Sequence, residues 1–393
     1  MGTTRSQLLI QTIANAANTI TLQAIAILSL SPSDYGMFSF LFIGYAWFLS
    51  ISYSVLSEPW ARARHELGTP GPWRDYASVA IVLSLASALP VAAMSMFVDD
   101  IVTGLVMSLA TALAVYRAAA RFRAAVDGKH LKVWLPDALG TVAMITLWLG
   151  LSVIISPVLA VAVAWLAASA VAATTSLTPG SIDVRAVPRW WKNHSRRIRV
   201  LFSDSLLQDL STVLMPLVLA PIMGLASFGV YRALFSTAMP VRLLLTPLRP
   251  AIGNRPLTFF AAPRTAATVF GTSVGIGAIT AFGMWVVSET LLDPGTTLAV
   301  LGADFAVAVG IFIAANGAAT FYYFVARTHL SGRELMVARV EQLIGIGVGP
   351  IAGFALWGLP GAVWGVVFAN AVHAVVLPII VFAAKRPDAR RPT

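Results

Sequence analysis

Ser31-Pro-Ser-Asp-Tyr-Gly-Met-Phe-Ser-Phe40 joins the first two long apolar segments of the chain, and a fainter copy, Gly224-Leu-Ala-Ser-Phe-Gly-Val-Tyr-Arg-Ala233, stands near the middle. Aligning Gly36 with Gly229 sets Tyr35 on Phe228, Phe38 on Tyr231 and Ser39 on Arg232. The offset, 229 − 36 = 193, is close to half of the 393 residues. Each copy feeds directly into an apolar run, so each reads as the outer bend of a helical hairpin. A parallel duplication of two six-helix halves produces such an echo.

Composition excludes an ordinary soluble domain. Hydrophobic residues make up 58% and charged residues only 11%, with a mean hydropathy of +0.80. Soluble chains carry roughly 25% charge, so this one is solvated mainly by lipid. A formal charge of +10 then reflects basic residues retained on the cytoplasmic side rather than an affinity for nucleic acid. The absence of cysteine removes disulfides, thiol nucleophiles and cysteine metal sites. The first apolar run is studded with Gln11, Asn15, Asn18 and Gln23 and shows no clear small-residue cleavage site. It reads as helix one rather than as a signal peptide.

Apolar runs of about 20 residues recur at 8–30, 37–57, 76–98, 101–123, 134–155 and 158–177, and again at 201–221, 226–248, 266–288, 298–326, 336–356 and 360–383. The expected organisation is an all-α polytopic membrane protein with about 12 spans. It comprises a six-helix bundle at 1–177, a basic cytoplasmic linker at 178–199, a second bundle at 200–384 and a basic cytoplasmic tail at 385–393. Charge supports the threading. With the N-terminus inside, every one of the 27 Lys and Arg residues except Arg232 falls in an inner connection. Asp34, Asp99, Asp100, Glu289 and Asp293 fall outside. Positive charge resists translocation, so this bias orients the helices with both termini cytoplasmic, in the plasma membrane. Trp190-Trp191, beside six basic residues, reads as an anchor along the headgroup interface.

Catalytic motifs are missing, and neither an enzymatic activity nor a cofactor or metal is expected. There is no phosphate-binding Gly-x-x-x-x-Gly-Lys-Ser/Thr, and Gly345-Ile-Gly-Val-Gly349 lies inside an apolar run where helix packing explains it. His65, His130, His194 and His329 are scattered in inner connections, and His373 lies in the last span, read as packed or hydrogen-bonded. What remains are polar residues inside spans, which are costly and so mark interiors or pathways. Asp204 and Gln208 share a helix face in span seven. Asp204 is near the inner end, where an inner arginine can meet it. Asp209 sits some eight residues in, roughly 12 Å, too deep for its short side chain to reach water. Arg232 lies about six residues, some 9 Å, from its bend, either snorkelling to the interface or serving as a cavity cation or counter-ion to Asp209. Gln11, Asn15 and Asn18 form a polar stripe that interhelical hydrogen bonds or a cavity wall would explain equally. Asn316 and Asn370 read the same way. Tyr116, Arg117, Arg121, Arg123, Arg242 and Arg249 gather at inner helix ends, where positive-inside bias explains most of them and attraction of a diphosphate is the alternative.

These features resemble the polysaccharide-export, Wzx-like branch of the multidrug/oligosaccharidyl-lipid/polysaccharide (MOP) superfamily. The resemblance rests on Ser33-Asp-Tyr-Gly-Met-Phe-Ser39 after helix one, Gly224-x-x-x-Phe-Gly-x-Tyr231 after helix seven, Arg117-x-x-x-Arg121 ending helix four, and Gly358-Leu-Pro-Gly-Ala-Val-Trp-Gly365 between the last two helices. It implies a MATE-like pair of bundles around a central cavity that opens alternately to each side. It also implies a polyprenyl-diphosphate-linked oligosaccharide as substrate, with the bilayer and other glycan-assembly membrane proteins as partners. Burial then nominates Arg232, Asp209, Gln208, Asn15, Asn18 and Arg117 as the substrate cavity, and Asp209 or Asp204 as coupling groups. Three rivals stand beside this reading. A cation-coupled drug antiporter on the same fold would want a net acidic cavity. A membrane glycosyltransferase or polymerase would want a sizeable outer loop, and the outer connections here are short. A scaffold would recruit partners through the inner basic segments.

Overall fold

The computed structural model describes residues 5–67, 73–98, 100–176, 183, 185–245, 252 and 255–384, and among them there are helices and no strand. Helix α1 covers Arg5–Ser29. Helix α2, Pro32–Ser52, runs through a π-helical turn at Tyr53–Ser57 into α3, Glu58–Leu67. Then come α4 (Trp73–Ser95), α5 (Ile101–Val126), α6 (His130–Leu151) and α7 (Pro157–Ser176). Helix α8, Ala186–Asp209, continues through a second π turn, Leu210–Leu214, into α9, Met215–Met223. The rest are α10 (Leu225–Thr237), α11 (Met239–Leu245), α12 (Leu257–Phe260), α13 (Pro263–Thr290), α14 (Thr297–His329) and α15 (Gly332–Ala384).

Eight described helices are long and apolar enough to cross a bilayer. The last is broken where Trp357 and Gly358 leave helical geometry, Gly358 taking a φ of 64° that a residue with a Cβ rarely adopts. It therefore serves two of the expected spans, 336–356 and 360–383. The expected spans 8–30, 201–221 and 226–248 coincide with α1, with α8–α9 and with α10–α11, which are more polar or shorter. Both π turns precede a proline at the same offset, Pro59 and Pro216. Proline has no N–H for the carbonyl four residues back, so the helical ladder must shift there.

The chain divides into two compact units, one of Met1–Leu30 with Met37–Leu217, the other of Ser31–Gly36 with Val218–Thr393. The division between Leu217 and Val218 differs from the linker expected at 178–199. The physical reason is that residues 186–199 are the first half of α8 and carry core. Trp190 and Ile198 pack with Leu56, Trp60, Tyr76 and Ala119 in the first unit. Trp190 is therefore not an interface anchor. It is buried, and its indole N–H donates to the Val55 carbonyl at 3.1 Å, the group that Pro59 leaves without a helical donor. Its neighbour Trp191 is exposed. His194, read as a loop residue, is buried and stacked on Trp190 with ring centroids 4.1 Å apart. The start of α8 is pinned to α4 by Arg189, whose guanidinium forks onto both oxygens of Asp75 at 2.7 and 2.9 Å and also reaches Asp183 at 2.9 Å.

In the second unit, α14 is the central helix, packed by α10, α13 and α15. Its core includes Phe260, Tyr322, Val325, Leu377 and Val381. The opening stretch of the sequence belongs here. The bend itself is shorter than expected, because helix resumes at Pro32 and puts Tyr35 and Gly36 in the first turns of α2. Ser31 and Asp34 cap that start: the Asp34 N–H donates to the Ser31 hydroxyl, which donates to the Asp34 carboxylate at 2.8 Å. The two echoing glycines meet. A Cβ on Gly36 would strike the Leu225 carbonyl, and one on Gly229 would strike the Pro32 carbonyl. Leu225 and Pro32 are themselves 193 residues apart, so the contact is reciprocal at the offset read from the sequence. Two backbones approach this closely only where both lack side chains.

Candidate functional site

The polar site of the first unit is built from a turn and a proline. Arg117 and Arg121 are one helical turn apart on α5. The short turn at 127–129 reverses the chain into α6, on which Asp137 lies seven residues in, roughly 10 Å from the helix start. Pro136 gives no N–H to the Lys132 carbonyl, and Arg117 donates to it instead at 3.3 Å, as well as to the Val133 carbonyl at 2.6 Å. The remaining arm of Arg117 meets Asp137 at 3.0 Å. Arg121 approaches the other Asp137 oxygen at 3.4 Å and donates to the Tyr53 hydroxyl, in the π turn, at 3.1 Å. Asn18 of α1 closes the cluster, donating to Thr141 at 3.3 Å, while the Thr141 hydroxyl donates to the Asp137 carbonyl at 2.8 Å. Tyr45 lies within electrostatic reach of Arg121 and Asp137, its ring edge-on to Trp165.

Two cations thus share one acid inside a helical unit, a net positive charge. The side chains of Arg117 and Asp137 are 6% and 7% exposed, whereas Arg121 keeps 20%. Arg117 is spent on structure; Arg121 is the cation with surface to offer. Asp137 and Tyr53 went unread in the sequence. The signal for them was present in Pro136-Asp137 falling one span away from Arg117-x-x-x-Arg121.

Of the other nominated residues, Asp209 belongs to the first unit, where it is buried at the start of the second π turn and accepts a hydrogen bond from Ser50. π turns frequently mark functional sites because they re-aim side chains out of the helical ladder. The side chains of Asp204, Gln208 and Asn15 lie outside the described residues. Arg232 belongs to the second unit. Its Nε is buried without a hydrogen-bond partner, its guanidinium carbon is 5.6 Å from the Phe235 ring, and Tyr35 and Tyr231 are its polar neighbours. Tyr35 in turn bonds Ser236 at 2.8 Å. A second polar pair in that unit is His373, whose Nδ1 is 2.6 Å from the Glu341 carboxylate across the two arms of α15. Among the described residues there is no group of three or more acids, histidines or cysteines that could hold a metal ion.

No protein-family model and no curated protein sequence matches this chain. Solved structures do. An inward-facing multidrug resistance MATE family transporter of the MOP superfamily is 14% identical, with 96% of each chain covered and a TM-score of 0.65. The lipid II flippase MurJ, in an inward closed conformation, is 13% identical over 96% of this chain and 87% of that one, TM-score 0.66. An outward-facing MATE transporter of the same superfamily is 14% identical over 96% and 93%, TM-score 0.57. At such identities the likeness is one of fold: this is a multi-pass, all-α membrane protein with the MATE-like architecture.

Proposed function

We propose that the chain is a MOP-type transporter that moves a polyprenyl-diphosphate-linked oligosaccharide from the inner to the outer leaflet by alternating access, for cell-surface polysaccharide export. The carrying observation is the excess cation of the first unit, Arg121 beside an Arg117–Asp137 pair. A sugar headgroup cannot cross hydrocarbon unaided, since its desolvation goes uncompensated, and a diphosphate needs a cation that is neither fully paired nor fully buried. Arg232, with its unmatched Nε, supports the same reading, and Asp209, Gln208, Asn15 and Asn18 would substitute for water around the headgroup. Asp209 or Asp204 would couple transport to protons. The threading that goes with this reading puts both termini on the cytoplasmic side of the plasma membrane.

The test is a leaflet-accessibility assay in proteoliposomes with a fluorescent polyprenyl-diphosphate sugar. Wild-type protein should expose the probe on the far leaflet, and Arg121→Ala should abolish this at equal reconstitution. Flipping at the wild-type rate by Arg121→Ala removes the cluster from the site. Replacing Asp209 by Asn should flatten the pH dependence of the rate, and an unchanged profile would exclude Asp209 as the coupling group. A second reading, a cation-coupled drug antiporter, is favoured by the His373–Glu341 pair, since a titratable pair among spans is a proton-carrier geometry. Proton-driven efflux of an organic cation, without lipid flipping, would select it.

A further inference from the structure

The turn from α5 to α6 carries a charge imbalance that the transport reading does not use. A shallow cleft, partly open to solvent, is lined there by Trp73, Arg117, Arg123, Asp127, Lys129 and Lys132. Asp127 is the acid of that lining and is already shared, with Arg123 Nε at 3.2 Å and Lys129 Nζ at 3.5 Å on the same oxygen. Arg117 is matched from behind by Asp137. Three cations are left facing one acid.

The start of α6 sharpens the imbalance. Lys129 occupies the cap position with no side-chain cap, and the first turn holds no acid. The positive end of a helix dipole favours anions and repels lysine, so Lys129 and Lys132, at the start of α6, gain from an anion there, whereas Arg123 lies in the last turn of α5. The Arg123 guanidinium carbon lies 3.1 Å from the centroid of the Trp73 ring, a contact that holds this cation beside the cleft. Leu131, between the two lysines in sequence, is exposed, an apolar neighbour suited to an acyl chain.

We propose that this cleft binds a phosphate-ester anion, supplied by the headgroup of an anionic phospholipid or by a soluble phosphoanion. The full-length chain, purified in detergent, is titrated by native mass spectrometry and thermal shift with short-chain phosphatidylglycerol, with phosphatidylcholine, and with inorganic pyrophosphate. The variant is Lys129→Ala/Lys132→Ala. Both residues are exposed, and it is the Lys132 backbone, not its side chain, that meets Arg117, so the fold should survive. Wild-type protein should bind phosphatidylglycerol or pyrophosphate in preference to phosphatidylcholine. The variant should bind on the order of thirtyfold more weakly, the loss of two near-surface cations. A matched variant, Lys192→Ala/Arg196→Ala, removes an exposed pair from α8 and should bind as wild type. Response to phosphatidylglycerol names the lipid as source, and response to pyrophosphate alone names a soluble ligand. Equal binding by wild type and Lys129→Ala/Lys132→Ala, or equal loss in the α8 control, overturns the proposal. Failure of the flipping assay with binding intact would sink the transport reading and leave this site standing.

Discussion

Replacing Gly36 or Gly229 by alanine tests the packing of the second unit most directly. Each added Cβ would strike a backbone carbonyl, Leu225 in one case and Pro32 in the other, and would also crowd the partner glycine's nitrogen, at 3.2 Å from Gly36 and 2.8 Å from Gly229. Backbone atoms cannot rotate aside as a side chain can, so α2 and α10 must part by on the order of 1 Å, more than a close-packed contact absorbs. Overpacking of this kind costs about 1–3 kcal/mol, and alanine returns up to about 1 kcal/mol of helix propensity. The net expectation is a loss of about 1–2 kcal/mol for either variant. The comparison is Gly271→Ala in α13, where a Cβ would meet nothing within 4 Å and propensity alone should leave stability equal or slightly raised. Thermal unfolding of the purified chain in one fixed detergent reads all three. The double variant should cost less than the two singles together, because one separation of the helices relieves both clashes. Should Gly36→Ala and Gly229→Ala unfold with Gly271→Ala, the reciprocal backbone contact is wrong.

Three further outcomes follow from the polar sites. Asp137→Asn leaves Arg117 and Arg121 without a counter-charge and should cost about 3–5 kcal/mol, read by the same unfolding assay, whereas an Arg117→Met/Asp137→Leu double variant should be milder; equal costs would mean that the pairing does not matter. Arg232→Met removes a buried, unmatched Nε, so it should leave thermal stability unchanged or raised while transport falls; lowered stability would make Arg232 a packing residue. Arg189 holds the Asp183 carboxyl below the usual carboxylate range, chiefly by its hydrogen bond. A depressed pKa gives stabilisation that is complete above the unfolded value and is lost as pH falls through the folded one. Protection from hydrogen exchange in the first turn of α8, corrected for the intrinsic rate at each pH, should therefore fall on acidification, and Arg189→Met should remove that pH dependence.

The sequence by itself determined the architecture. A bilayer admits only spans whose backbone is satisfied internally, so runs of about 20 apolar residues declare the helices. The 193-residue echo aligned Gly36 with Gly229 as equivalent positions of two bends, and the structure brings those two glycines together, where a close backbone contact keeps glycine on both sides. The site was only half legible. Asn18 and Arg117 were singled out, but Asp137, which joins them, was not. Its role depends on how α6 is rotated against α5 and on the carbonyl that Pro136 strands. Trp190 failed for the same reason: beside basic residues it reads as an interface anchor, and only the orphaned Val55 carbonyl, 135 residues away, turns it inward. Periodicity and charge bias act along the chain and can be read there. Which polar groups neutralise one another is set by helix rotation and by backbone groups freed far away in sequence, and that was settled only when the helices packed.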